Sequence, residues 1–279
     1  MKTYLDCYPC FLRQALEAAR MAGADEPRQR RLLGQVMEGL SETPLETTPP
    51  EIAAQIHRLV RHELGHTDPY REPKQKSTEQ ALTLYPRLKA LVAQADDPMD
   101  CAVRLAIAGN IIDLGLKLTY DLWETVERVL EQPFAIDHYA AFHASLKKAP
   151  WILYLADNAG ETVFDRVLIE TLDHPVHYAV KGAPILNDAT QEDALAAGVD
   201  QATTLSSTGS DAPGTVLADC SEQFKRMFSE APLIIAKGQA NYETLSEAGS
   251  RLFFMLQVKC PVIARDVGVP VGSIVLKRG

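Results

Sequence analysis

The segment WILYLADNAGE, residues 151–161, constrains the fold more than any other stretch. An apolar run stops at Asp157 and Asn158, and a small-residue turn (Ala159, Gly160) leads into a helical pattern. This is the signature of a buried strand that delivers two oxygen-bearing side chains at its carboxyl end, where open α/β sheets bind ligands.

The same event recurs downstream. A second apolar run ends in Lys181-Gly182, and Asn187-Asp188 follow just before a helical pattern. A third enters SSTGSDAPG, residues 206–214, and a fourth ends in AKGQANYE, residues 236–243. Short apolar runs at 151–156, 175–180, 201–205, 232–236, 251–258 and 271–276 alternate with helical stretches, which predicts βαβ units and a mostly parallel sheet. Before Pro150 the pattern is helical, with apolar residues at three- and four-residue spacing over 10–22, 27–40, 50–64, 76–95, 99–131 and 135–147. The expected organisation is an all-helical N-terminal domain, residues 1–148, and a Rossmann-like three-layer α/β/α domain, residues 149–279.

Composition excludes some partners. Lys and Arg number 28 against 37 Asp and Glu, a net charge of −9, which argues against sequence-independent nucleic-acid binding. No apolar run approaches the roughly 20 residues that cross a bilayer, and MKTYLDCYPC has no secretory apolar core. Five cysteines without an export signal point to the reducing cytoplasm. Oligomeric state is left open.

Carboxyl ends of parallel strands share one edge, so these polar residues are expected to converge. Asp157, Asn158 and Asp188 offer hard oxygens suited to Mg²⁺ or Mn²⁺. Lys181 and Lys237 can face a phosphate, and Thr208-Gly209-Ser210 offers hydroxyls and backbone N–H groups ahead of a helix. A divalent metal, lysines and an N–H cradle are the parts of metal-assisted phosphoryl transfer. Asp and Asn after a strand are also common helix caps, and a lysine there is often a solvated edge charge. Four such ends on successive strands favour a site.

In order along the chain, DPYREPK (68–74), GNIID (109–113), ADNAGE (156–161), KGAPILNDAT (181–190), STGSDAPG (207–214), KGQANYE (237–243) and KCPVIARDVGVPVGS (259–273) resemble the metal-dependent damage-control phosphatases, first catalogued as domain of unknown function 89. CYPC (7–10) is similar to the short, stand-alone microbial branch. The resemblance implies a helical domain on an α/β/α core and hydrolysis of a small phosphorylated metabolite, a sugar phosphate or damaged phosphometabolite, with Mg, Mn, Co or Ni. By the same resemblance Asp157, Asn158 and Asp188 match the metal ligands, Lys237 the lysine that meets the phosphate, and Asn110 and Asp113 a helix segment lining the pocket. Asn241, within KGQANYE, joins the substrate-binding set. The expected reaction is in-line attack by a metal-activated water, oriented by Asp113 or Glu161. A non-catalytic phosphometabolite-binding protein would use the same crevice without needing three oxygen ligands.

A rival motif is His62-Glu63-Leu64-Gly65-His66, which matches the zinc-peptidase pattern of two histidines on one helix face with a glutamate base. Asp68-Pro69 ends the helix just after it, and no third histidine follows, so a helix end with incidental histidines is the favoured reading. Cys7 and Cys10 stand three apart at a helix start, read as structural or as a second metal or redox pair that Cys260 could approach. Cys101, Cys220 and Trp123 read as core, and Tyr70 as a pocket neighbour or a loop anchor.

Overall fold

A computed structural model of the chain describes residues 1–65, 68–111 and 122–279. Seven strands form one sheet: β1 (Phe134–Asp137), β2 (Ile152–Leu155), β3 (Val176–Val180), β4 (Thr204–Ser207), β5 (Ile234–Lys237), β6 (Leu252–Gln257) and β7 (Ile274–Arg278). Their order is β1-β7-β6-β5-β2-β3-β4, and every neighbouring pair is parallel except β6 with β7. The chain therefore leaves β2 towards β3 on one side and meets β5 on the other. Beyond the end of β2 lies the crevice that such a reversal opens.

The alternation of strand side chains builds two cores. Ile152 and Tyr154 of β2 face one layer, with α4 (Arg71–Gln94), α5 (Pro98–Ile111), α6 (Leu122–Glu131), α7 (Tyr139–Leu146) and α8 (Thr162–Leu172). Leu153 and Leu155 face the other, with α10 (Glu222–Glu230), α11 (Gly238–Leu245) and α12 (Pro261–Val267). The short α9 (Gln191–Ala196) follows β3. This is the expected three-layer α/β/α arrangement. Among the described residues no helix is long and apolar enough to cross a membrane.

The first 148 residues are not all helical. Residues 134–137, which overlap the start of the expected helix 135–147, form β1 and pair with β7, while only 139–146 are helical. Alternate residues of FAID are half-buried and exposed, as an edge strand allows, and this four-residue stretch is too short to separate from a helix by periodicity. Helices α4 to α8 belong to the sheet's own core. A separate cluster is confined to α1 (Tyr8–Met21), α2 (Glu26–Glu42) and α3 (Pro49–Leu64), with Tyr70 and Leu186 packed into it. Tyr70 is thus a loop anchor, with its ring edge-on to His57 at 6.1 Å. Cys101 and Cys220 are buried as expected, whereas Trp123 is half-buried at the core edge.

Charged side chains of α3 and α4 reach across to the two loops below the crevice. Arg58 and Arg61 both bind Asp211, Arg58 also binds Asp219 at 3.0 Å, and Arg61 donates to the Pro184 carbonyl at 3.2 Å. Lys74, only 2% exposed, lies 3.2 Å from Asp68 and 3.0 Å from Asp193. Asp193 in turn caps α9 by accepting from the Thr190 N–H and hydroxyl. Lys74→Met should cost about 3–5 kcal/mol in urea unfolding, because it strands the buried Asp193 carboxylate and the half-buried Asp68.

His57, buried on α3, carries a ring nitrogen (Nε2) without a hydrogen-bond partner. Burial, reinforced by Arg61, lowers its pKa to about 4. The unfolded imidazole takes its proton near pH 6.5, so acidification favours the unfolded chain. Stability should be complete above pH 6.5 and should fall towards pH 4 by about 3 kcal/mol from this group. Urea unfolding of His57→Leu at pH 4.5 and 7.5 should lack that share of the pH dependence; an unchanged slope would count against it.

Candidate metal and phosphate site

Asp157 and Asn158 leave β2 directly into the crevice. Asp188 comes to meet them because the chain after β3 folds back: Asn158 and Asp188 form an isolated antiparallel bridge, the Ala189 N–H donates to the Asp157 carbonyl at 2.7 Å, and the Ala159 N–H to Asn187 O at 2.9 Å. All three side chains are at most 7% exposed. Lys181, at the end of β3, lies 3.4 Å from Asp188 and donates to the Gly214 carbonyl.

Asp157 is set in excess negative charge. Burial first, then the charges of Glu161 and Asp188, push its carboxyl well above the usual range, while Lys259 and Lys181 oppose the shift. A cation bound between Asp157 and Asp188 would relieve that charge. The donors are two carboxylates and an amide oxygen, all hard ligands that suit a small divalent ion completing its shell with water. Among the described residues no group of three or more His, Cys, Asp or Glu side chains is arranged to hold an ion. The set therefore depends on the Asn158 oxygen and on water.

Other expected residues lie behind these three. Lys237 ends β5 wholly buried, and its ammonium meets Glu161 Oε1 and Asp165 Oδ1 at 2.6 Å and the Ala106 carbonyl at 2.8 Å. Burial alone would lower its pKa, but Asp165 and Glu161 hold it above the ordinary lysine value. Three protein acceptors thus take the group expected to meet the phosphate. Glu161 accepts from Lys237 on one oxygen and from the Asn110 and Asn158 amides on the other, at 3.0 and 3.1 Å, and is itself 0% exposed. Asn241 donates to the Ala156 and Lys237 carbonyls and accepts from Thr215, tying the ends of β2 and β5 together. Asn110, at the end of α5, donates to Asp157 at 2.8 Å and accepts from the Gln257 N–H at 3.4 Å. Asp113 lies outside the described residues.

The 206–214 loop lies against the β3 turn, where the Gly182 N–H donates to Ser210 O at 2.8 Å. Its hydroxyls cap its own backbone: Ser207 accepts from the Gly209 N–H, Thr208 from the Ser210 N–H, and Ser210 from the Ala212 N–H. Those N–H groups are therefore already paired, and what Thr208 and Ser210 offer an anion is hydroxyl hydrogens. No long helix follows directly; α10 begins only at Glu222, although its cap Ser221 packs on Gly209.

The residues missed from sequence are Lys259 and Asp165. Lys259 follows the end of β6, half-buried, with its charge acting on Asp157. Applying the strand-end rule to a fifth strand would have found it. Asp165 sits on the apolar face of α8 among Phe164, Val167 and Leu168, a polar residue where a helix buries its core stripe.

Of the rival metal motif, residues 62–65 are described. Helix α3 ends at Leu64 with Gly65 left-handed at φ 62°, and His62 is exposed beside Glu63; His66 lies outside the described residues. Cys7 precedes α1, Cys10 lies in its first turn, and Cys260 precedes α12, with all five cysteines free. Burial raises the Cys7 thiol, and the nearby Glu243, Cys260 and Cys10 add to it, so the two segments do approach one another.

Residues 3–275 match the model of the damage-control phosphatase ARMT1-like domain. A damage-control phosphatase of Pyrococcus horikoshii is 38% identical, with 100% of this chain and 98% of the relative covered. A damage-control phosphatase of Archaeoglobus fulgidus is 34% identical over 97% of each. The crystal structure of a DUF89 family protein from Pyrococcus horikoshii superposes with a TM-score of 0.91 at 35% identity, covering 100% of this chain and 99% of that one. The chain belongs to the damage-control phosphatase ARMT1-like (DUF89) family.

Proposed function

We propose that this chain is a metal-dependent phosphomonoester hydrolase of a small phosphorylated metabolite, with Asp157, Asn158 and Asp188 as the ligands of a divalent ion. The observation that carries the reading is the meeting of these three hard oxygen donors with Lys181 and Lys259 at one sheet edge. A protein that only binds phosphate gains from the lysines and hydroxyls. It loses by burying Asp157 and Asp188 beside an anion. The names of the relatives favour a damaged phosphometabolite as the substrate class.

A bound Mg²⁺, Mn²⁺, Co²⁺ or Ni²⁺ would neutralise phosphate charge and lower the pKa of a neighbouring water. Lys259 and Lys181 draw the anion in, and the Thr208 and Ser210 hydroxyls donate to its oxygens. Burial of these groups strengthens each contact, since the local dielectric is well below that of water. Of the two carboxylates considered for orienting the attacking water, Glu161 is wholly buried and bonded to Lys237, Asn110 and Asn158, which favours Asp113 for that role.

p-Nitrophenyl phosphate should be hydrolysed with Mn²⁺, Co²⁺, Ni²⁺ or Mg²⁺ and not with chelator, and Asp157→Ala should abolish the turnover. Full activity in that variant would sink the ligand assignment. Lys259→Met should raise KM and the inhibition constant of inorganic phosphate about tenfold or more, the worth of one charge-assisted hydrogen bond. Unchanged phosphate inhibition would remove Lys259 from the site.

A further inference from the structure

Behind the proposed ligands lies an assembly of ionisable groups sealed from solvent. Glu161, Asp165 and Lys237 are each 0% exposed. Asp165 accepts a hydroxyl hydrogen on each oxygen, from Tyr154 of β2 and Tyr178 of β3, both at 2.7 Å. Burial and the charge of Asp165 keep both phenols protonated and donating. The connections run from the two strands through the tyrosines to Asp165, then to Lys237, to Glu161 and to Asn158. Groups this costly to bury call for a use.

We propose that this assembly is a positioning device: Glu161, held by Lys237, which Asp165 anchors in turn, fixes the side-chain orientation of Asn158 so that its amide oxygen, not its nitrogen, faces the ion. An asparagine amide carries a ligand atom on one side and a donor on the other, and nothing in the residue decides which faces a metal. A carboxylate settles it, because it only accepts. Asn158 Nδ2 lies 3.1 Å from Glu161 Oε2 and 3.0 Å from Asp157 Oδ2. Asn110 Nδ2 bridges the same two oxygens at 3.0 and 2.8 Å. One edge of the Asp157 carboxylate is thereby engaged from behind, which directs the other edge at the crevice. Lys237 is then a positioning residue. Groups that orient metal ligands in this way typically govern affinity by about 10–100-fold.

The inference rests on the metal-ligand reading, and direct Mn²⁺ binding followed by electron paramagnetic resonance separates the two. Failure of the unaltered protein to bind Mn²⁺ overturns that reading. If it binds, Glu161→Gln should bind about 10–100-fold more weakly, since a glutamine lets the Asn158 amide turn. Adding Asn158→Asp should restore at least tenfold of the loss, because a carboxylate presents oxygen either way. Equal affinity in Glu161→Gln, or no recovery in the double variant, overturns the positioning role alone. Should Glu161→Gln fail to fold, the unaltered protein decides by nuclear magnetic resonance: metal-free, its Asn158 side-chain amide hydrogens should be strongly protected from solvent exchange, and free exchange overturns the proposal.

Discussion

An ammonium taken out of water destabilises a fold unless carboxylates surround it, and Lys237 is surrounded by two. Much of the sheet edge is arranged about that contact. Glu161 stands at the start of α8 and Asp165 one turn further on, while the Ala106 carbonyl comes from α5. The tyrosines that complete Asp165 come from β2 and β3, and Lys237 itself from β5. One lysine thus joins two helices of one layer to three adjacent strands, directly behind the crevice. The polar groups here are well enough satisfied that the site can be rigid before any ligand arrives.

Close approach at the crevice depends on two glycines. Gly238 begins α11 at φ 77°, a left-handed conformation, and a Cβ there would overlap the Asp157 carboxylate. Gly182 lets the turn after β3 lie against the backbone of Gly209, where a Cβ would come within 2.6 Å of the Gly209 carbonyl carbon. The first brings α11 up to the proposed metal ligand. The second brings together the loops that carry Lys181 and Thr208.

The N-terminal helices act on the same loops from the opposite side. Arg58 and Arg61 hold Asp211, and Lys74 and Arg71 hold Asp193 and Glu192, so the 206–214 loop and the start of α9 are both anchored by charge. The DPYREPK motif supplies part of this anchor: Asp68 caps the turn at Tyr70 and also binds Lys74. Through Lys74 and Asp193 it reaches the segment that follows Asp188.

Strand ends were the legible part of the sequence. Six of the strands overlap the apolar runs, with β4 and β7 beginning three residues later than expected, and the polar residues at the carboxyl ends of β2 to β6 gather at one edge, because parallel strands leave them nowhere else to go. β1 was missed for want of length, and it moves part of the expected helical half into the sheet. Residue type at a strand end fixed which chemistry was on offer, namely hard oxygens and lysines. It did not fix which lysine faces the crevice. Lys237 and Lys259 both follow buried strands, yet one is enclosed by Glu161, Asp165 and Ala106 and the other stands half-exposed beside Asp157. That difference arises from what α5 and α8 bring against each strand end, contacts between residues far apart in the chain, and only the packed tertiary structure decides them.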